Sequence, residues 1–175
     1  HERRFGNIVS RPKVDTGGRV VQEALIEYTE YMETYKWYPQ RAGRVDLLVP
    51  QLTERDLNTD PTLRQDVARI LALQKVSGWT ADRARAAREL GKPPGAEGSV
   101  GKLAMSTIAR LASLAHGHIA GANGMLTGPD SPAAGMVAEV LVSVPGQSIA
   151  GGTDEIQHNI LGERVLGLPR EPQAT

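Results

Sequence analysis

The 175-residue chain contains no cysteine. That excludes disulfides, thiol catalysis and cysteine-based zinc sites. Aromatic residues are scarce, at 4% with a single Phe, and no segment alternates apolar and polar residues convincingly. Sheets draw on aromatic and β-branched residues, so a core built mainly from Ala, Leu, Ile and Val points to close-packed helices. Charge of one sign is missing too: 20 Lys and Arg balance 20 Asp and Glu. No basic footprint for nucleic acid follows from that composition. No apolar run reaches the roughly 18 residues that a membrane span requires. The first residues, His1-Glu2-Arg3-Arg4, are charged rather than apolar, unlike a secretory leader. A cytoplasmic protein is the expectation. A G-x-x-x-x-G-K-[ST] phosphate loop, a nucleophile elbow and a Ser/His/Asp arrangement are all absent from the sequence. His116 and His118 are two apart, so a helix turns them to different faces and no metal site is expected.

What is present is helical punctuation. Residues 1 to about 11 read as a short helical segment, followed by a Pro/Gly break over Pro12–Gly18. Val21, Leu25, Tyr28, Met32 and Tyr35 form a stripe over a second helix, Arg19–Tyr38, which Pro39 ends. Gln40–Thr59 is a connector, with a helical turn within Asp46–Leu57. Asp60 then offers an N-cap with Pro61 at the first helical position, where its missing N–H costs nothing. The stripe Leu63, Val67, Ile70, Leu71, Gln74 continues towards Trp79 and predicts a helix to about Leu90, some 45 Å long. Another helix is predicted from about Ala96 to His118, facing its core with Val100, Leu103, Ile108, Leu111 and Leu114, and stopped by Gly121-Ala122-Asn123-Gly124. A further helix covers Ala133–Val144, up to Pro145-Gly146. Long helices with short connections define an all-α, up-down helical bundle, read here as a single domain over residues 1–175.

The stretch Ser148–Pro172 carries the most information. Gly151-Gly152 leads into Thr153, a capping residue, and Asp154 and Glu155 place two acids in the first turn, where the helix dipole favours them. Ile156, Ile160, Leu161, Val165 and Leu166 recur at helical spacing and are expected to face a core. Gly167 and Pro169 end the helix. Taken alone, these features describe a capped amphipathic helix behind a glycine turn.

The string G-G-T-D-E-I-Q-H-N-I-L-G-E-R-V-L-G-L-P-R-E, Gly151–Glu171, closely resembles the C-terminal signature of the acyl-CoA dehydrogenases. It matches at positions that helix formation does not require, among them Gln157, Asn159 and Arg164. The resemblance implies a C-terminal helical domain, with an N-terminal helical domain and a middle β-domain preceding it. It implies flavin adenine dinucleotide (FAD) as cofactor and an acyl-CoA as substrate. Homo- or hetero-oligomers with FAD between subunits, and an electron-transferring flavoprotein as electron acceptor, are implied as well. By the same match Gly152, Thr153 and Glu155 are candidate FAD contacts. Gly121 and Gly124 correspond to a glycine turn that meets FAD from a neighbouring subunit.

The sequence departs from the family in two places. Many members carry the catalytic Glu immediately before the G-T of the signature, where this chain has Gly151 in A-G-G-T. Other branches place the base in an E-R motif on the first helix of this domain, so the resemblance nominates Glu2 of Glu2-Arg3. The family's R-x-x-F-G motif is missing. Gln40-Arg41-Ala42-Gly43-Arg44 occupies that region, with Arg41 as a substitute cofactor contact. Such losses resemble branches in which two different subunits complete one site. A non-catalytic subunit of such a heteromer is therefore the alternative to an enzyme, and a free-standing interaction bundle leaves the signature unexplained. Small residues such as Ala104 and Ala109 leave room for a bulky acyl group, for example a steroid side chain.

Overall fold

In the computed structural model, residues 39–129 and 131–170 are described. The segments expected over residues 1–11 and Arg19–Tyr38, and with them Glu2, lie outside the described residues. The all-α expectation holds: five α-helices and several short 3-10 turns appear, with no strand among the described residues. We number the helices α1 (Leu48–Glu54), α2 (Pro61–Glu89), α3 (Glu97–Ala120), α4 (Met136–Ser143) and α5 (Asp154–Arg164).

Local chemistry sets these boundaries. Asp60 caps α2: its Oδ1 accepts from the backbone N–H of Thr62 at 2.8 Å and of Leu63 at 3.0 Å. Gly91, at φ 72°, turns the chain after α2 so that α3 can return along it. The connector between Gln40 and Thr59 does contain a helix, α1, preceded by a 3-10 turn at Val45–Leu47. The helix expected over Ala133–Val144 is shorter than its sequence suggested. Only Met136–Ser143 is α-helical, and Pro145 falls inside a 3-10 turn over Val144–Ser148.

The packing differs from the large-residue stripes. On α2 the upper half buries Leu63, Val67 and Ile70 as expected, but Leu71 and Trp79 stand exposed, Trp79 by 61%. The covered line instead continues through Leu73, Ser77, Thr80, Ala84 and Ala87. Those positions keep steps of three and four on one face, with side chains small enough for α3 to lie close. The same holds for α3. Val100 and Leu114 are exposed, while Ser106, Ala109, Ala112, Ala115, His116 and Ile119 are buried. Helix α3 separates two apolar clusters. One joins it to α1 and α2 through Leu48, Leu52, Val67, Ile70 and Ile108. The other joins it to α4 through Met136, Val137, Val140 and Val144.

The segment before α1 is pressed directly onto α3. Gly43 has φ 85°, and a Cβ there would lie 2.9 Å from Ala112 Cβ and 3.0 Å from the Ala109 backbone. His116 holds this contact from the other side. Its Nε2–H donates to the carbonyls of Gly43 and Arg44, both at 3.1 Å, and its Nδ1 lies 2.9 Å from the Gln51 side-chain amide. With the imidazole neutral, an amide turned to present its NH2 satisfies Nδ1. His118, two residues on, is exposed and lies 3.8 Å from Asp66, so the two histidines do face apart.

Gly43→Ala combines a left-handed backbone with a clash against backbone atoms that cannot yield. It should cost about 1–3 kcal/mol in urea unfolding. Burial lowers the pKa of His116; the two carbonyls and Asp46 oppose this, and Arg44 reinforces it. Above the ordinary value of about 6.5 both folded and unfolded chains are neutral and the contribution is whole. As pH falls from there through the folded-state value, the unfolded chain takes a proton before the folded one does, and stability drops. Urea unfolding at pH 7.5 and 5.5 should show this loss in the wild type. It should be much smaller in His116→Gln.

Candidate functional site

The glycine turn before α5 is built by three separate restraints. Gly151 and Gly152 adopt φ 70° and 91°, a backbone that side-chain-bearing residues avoid. A Cβ on Gly151 would meet nothing within 4 Å, so this face of the turn is open. Thr153 is the N-cap, its Oγ1 accepting from the Ile156 N–H at 3.3 Å. The Gln157 side-chain amide reaches back and donates to the Gly151 carbonyl at 3.0 Å. This bond explains why a glutamine stands at a signature position where helix formation needs none. Asn159 and Arg164 are both exposed, and no contact among the described residues accounts for them.

Beneath the turn lies a charged cluster. Asp154 is buried, at 7% exposure, and its two carboxylate oxygens are divided between two cations of α3. Lys102 Nζ donates to Oδ1 at 2.6 Å, and Arg110 Nη1 donates to Oδ2 at 2.7 Å. The same cations also hold the far side of the turn: Lys102 donates to the Ser148 carbonyl at 3.2 Å and Arg110 to Ser148 Oγ at 3.0 Å. Ser106 lies between them and donates to the Gln147 carbonyl at 3.3 Å. Residues 102, 106 and 110 are spaced by four, so one face of α3 presents all three. Burial pushes the Asp154 carboxyl up, but the bonds from Lys102, Ser106, Arg110 and Ser148 outweigh it and hold the group well below the usual carboxylate range. Asp154 therefore stays ionised at any working pH.

This arrangement corrects the expected orientation of α5. Only part of the expected apolar stripe is covered: Ile160 and Leu161 are half-buried, whereas Ile156 is 49% exposed and Leu166 71%, with Val165 exposed as well. The buried positions are Asp154 and Gln157. The most buried contacts of α5 are polar because α3 offers Lys102 and Arg110 at that point, and their charges must be matched where they are covered.

Glu155 is exposed beside Thr153; its carboxyl is held low first by its own backbone N–H and then by the Thr153 hydroxyl. Arg41, on the 3-10 turn Pro39–Ala42, lies over the connector between α4 and α5, where a Cβ on Gly146 would be 3.6 Å from its Nε. Gly121 is exposed with φ 57° at the C-terminal end of α3. Gly124 is buried: a Cβ there would be 3.2 Å from Ala120 Cβ and 3.3 Å from Val137 Cγ1, which gives this glycine a packing role. Along the α3 axis Gly121 lies roughly 16 Å from Arg110. Within one chain, the 121–124 turn and the 151–153 turn do not line one pocket. Lys102, Ser106, Arg110 and Ser148 are site residues that local motifs missed. Their trace in the sequence is the four-residue spacing of Lys102, Ser106 and Arg110.

The backbone of the turn leaves room for an anionic group. The turn has no Cβ on its open side and leads into a helix N-terminus; beneath it Lys102 and Arg110 exceed Asp154 by one charge, which the exposed Glu155 of the first turn offsets. Gln157→Ala would release the Gly151 carbonyl. We expect a loss of about 1–2 kcal/mol in chemical unfolding, with faster amide exchange confined to residues 149–153.

A model of the acyl-CoA dehydrogenase C-terminal domain matches residues 48–166. No curated protein matches the chain. Among solved structures, a protein described as the Tcur3481-Tcur3483 steroid ACAD aligns with a TM-score of 0.63 at 20% identity, covering 73% of this chain and 34% of that one. The ChsE4-ChsE5 complex from Mycobacterium tuberculosis aligns with a TM-score of 0.55 at 26% identity, covering 66% of this chain and 30% of that one. The chain thus spans about a third of the length of these two structures. With the family match over most of the described residues and the signature turn built as above, the chain belongs to the acyl-CoA dehydrogenase family, as its C-terminal helical domain.

Proposed function

We propose that this domain forms part of an FAD-dependent acyl-CoA dehydrogenase that converts an acyl-CoA thioester to the 2-enoyl-CoA. The observation that carries this reading is the open Gly151-Gly152 turn, fixed over α3 by Asp154 and Gln157 inside the family's signature. In it, Gly152, Thr153 and Glu155 contact the cofactor. Arg41, Gly121 and Gly124 serve the cofactor of a neighbouring subunit, in keeping with the separation of the two turns along α3. Bound FAD supplies a hydride acceptor for the β carbon. Glu2 takes the α proton, because Gly151 stands at the alternative base position and has no side chain to do so. A carboxylate is suited to that role, since burial beside flavin and thioester brings its pKa towards neutrality. The activity requires the domains that precede this one in the family, and an electron-transferring flavoprotein reoxidises the flavin. A cytoplasmic location accords with the described helices, none of which is long and apolar enough to cross a membrane.

Two features support a heteromer acting on a bulky acyl group. Ile149 before α5, Ile156 on it and Val165 and Leu166 after it stand exposed, as a surface covered by a second subunit would leave them. One structurally similar protein is described as a steroid ACAD and another as a complex of two different chains. A steroid-derived acyl-CoA is therefore the substrate we favour. The second reading, a non-catalytic subunit that completes a heteromeric site, draws on Gly151 and on the missing R-x-x-F-G.

Anaerobic bleaching of flavin by a panel of acyl-CoA esters separates these readings. The full-length protein should be co-expressed with any paralogue encoded beside it. Wild type should carry flavin that bleaches with a steroid-derived acyl-CoA. Glu2→Gln should bind the same ester and bleach about 100- to 10,000-fold more slowly. Equal bleaching would remove Glu2 as the base. Preference for short straight chains would remove the bulky substrate. Absence of flavin in every pairing would favour the non-catalytic subunit.

A further inference from the structure

We propose that Lys102 and Arg110 are positioning residues for the cofactor turn, acting through Asp154 and Ser148 without touching the cofactor themselves. This rests on the reading of Ser148–Glu155 as a flavin-binding segment. Lys102 and Arg110 bracket the turn: each binds Ser148 at its entrance and Asp154 at its exit. The five residues between, Ile149–Thr153, include two glycines in left-handed backbone. Such a segment has many conformations available, and fixing both of its ends to one rigid helix face selects among them.

Two observations argue against a purely stabilising role. First, α5 buries few large apolar side chains among the described residues, so its register on α3 depends on directional charged bonds. Second, a buried ion cluster is a poor source of net stability. Taking the charges out of water costs about as much as their attraction returns, and well-packed apolar replacements are often equally stable. What the cluster supplies that an apolar patch cannot is geometry: two fixed donors for each end of the turn. Lys102 and Asp154 are nearly covered, whereas the Arg110 side chain is 51% exposed at the edge. Arg110 can therefore be changed while the Lys102–Asp154 pair remains.

The test uses the full-length protein with its co-expressed partner, stripped of flavin. FAD affinity is read by quenching of flavin fluorescence, and the unfolding midpoint of the apoprotein is read separately. Arg110→Gln should weaken FAD binding about tenfold while the apoprotein midpoint stays close to wild type, and Arg110→Lys should recover most of the affinity. The triple variant Lys102→Met, Arg110→Leu, Asp154→Leu replaces the cluster by apolar side chains. It should keep a cooperative fold and lose at least as much affinity as Arg110→Gln. If Arg110→Gln binds FAD as wild type does, the inference is overturned, whether or not the triple variant folds. If both variants lose stability in proportion to affinity, the cluster is structural and the inference also falls. Wild type that takes up no FAD would instead overturn the flavin reading itself, and this inference with it.

Discussion

The close approach of other elements to α3 is the constraint on which the described fold depends. Ala109, Ala112 and Ala115 are fully or almost fully buried, and the backbone at Gly43 lies against two of them. Small side chains lower the apolar area available per residue but allow short distances between backbones, where dispersion contacts are dense. The consequence is a bundle with little slack. A single added methyl at Gly43 meets backbone, and the polar groups caught in so tight an interface must be matched by atoms already in place. His116 is the example: it is buried at the point of closest approach, and its ring nitrogens are met by two carbonyls and one side-chain amide.

Helix α3 uses its two ends differently. Towards its C-terminus it is an apolar and small-residue spine, touching α1, α2 and α4. Between Lys102 and Arg110 it becomes a polar cradle for the turn that precedes α5. Apolar packing constrains distance without constraining direction, whereas a carboxylate held by two cations has one arrangement in which both bonds are short. The division suits a domain whose body needs stability and whose glycine turn needs a defined position. It also explains why Asp154 remains charged in a buried place: the desolvation that raises its pKa is outweighed by donors aimed at both of its oxygens.

The legible parts of the sequence were those whose physics is local. The Asp60 cap, Pro61 at the first position, the Thr153 cap and the glycines around α5 act within a few residues, so their effects can be read where they occur. The signature could be matched for the same reason. The faces of the helices were less legible. Ile156, Val165 and Leu166 do not form one stripe: the helix ends at Arg164, and the apolar residues from Ile156 onward are spread round its axis, so counting steps of four and five overstated a common face. Trp79 and Leu114 misled as well, since size drew attention from the alanines and serines that make the contacts. The cluster at Asp154 lay beyond local reading altogether. Lys102 and Arg110 stand 52 and 44 residues away, and Asp154 beside a helix N-terminus already had a sufficient explanation in the dipole.

Ile156 on α5 and Val165 and Leu166 just after it are exposed apolar side chains, while Asp154 at the start of the helix is covered and helps to fix the turn. A subunit placed on Ile156, Val165 and Leu166 would gain apolar burial without disturbing the bonds to α3, because those bonds are made by Asp154 and Ser148. Association and turn geometry can then vary independently. In a proposed heteromer this matters: a chain that had lost one cofactor contact, such as the family's R-x-x-F-G arginine, would still present an intact turn to a partner that supplies the rest. The asymmetry inferred from the missing motif and the integrity of the Gly151–Thr153 turn are therefore compatible properties of one chain.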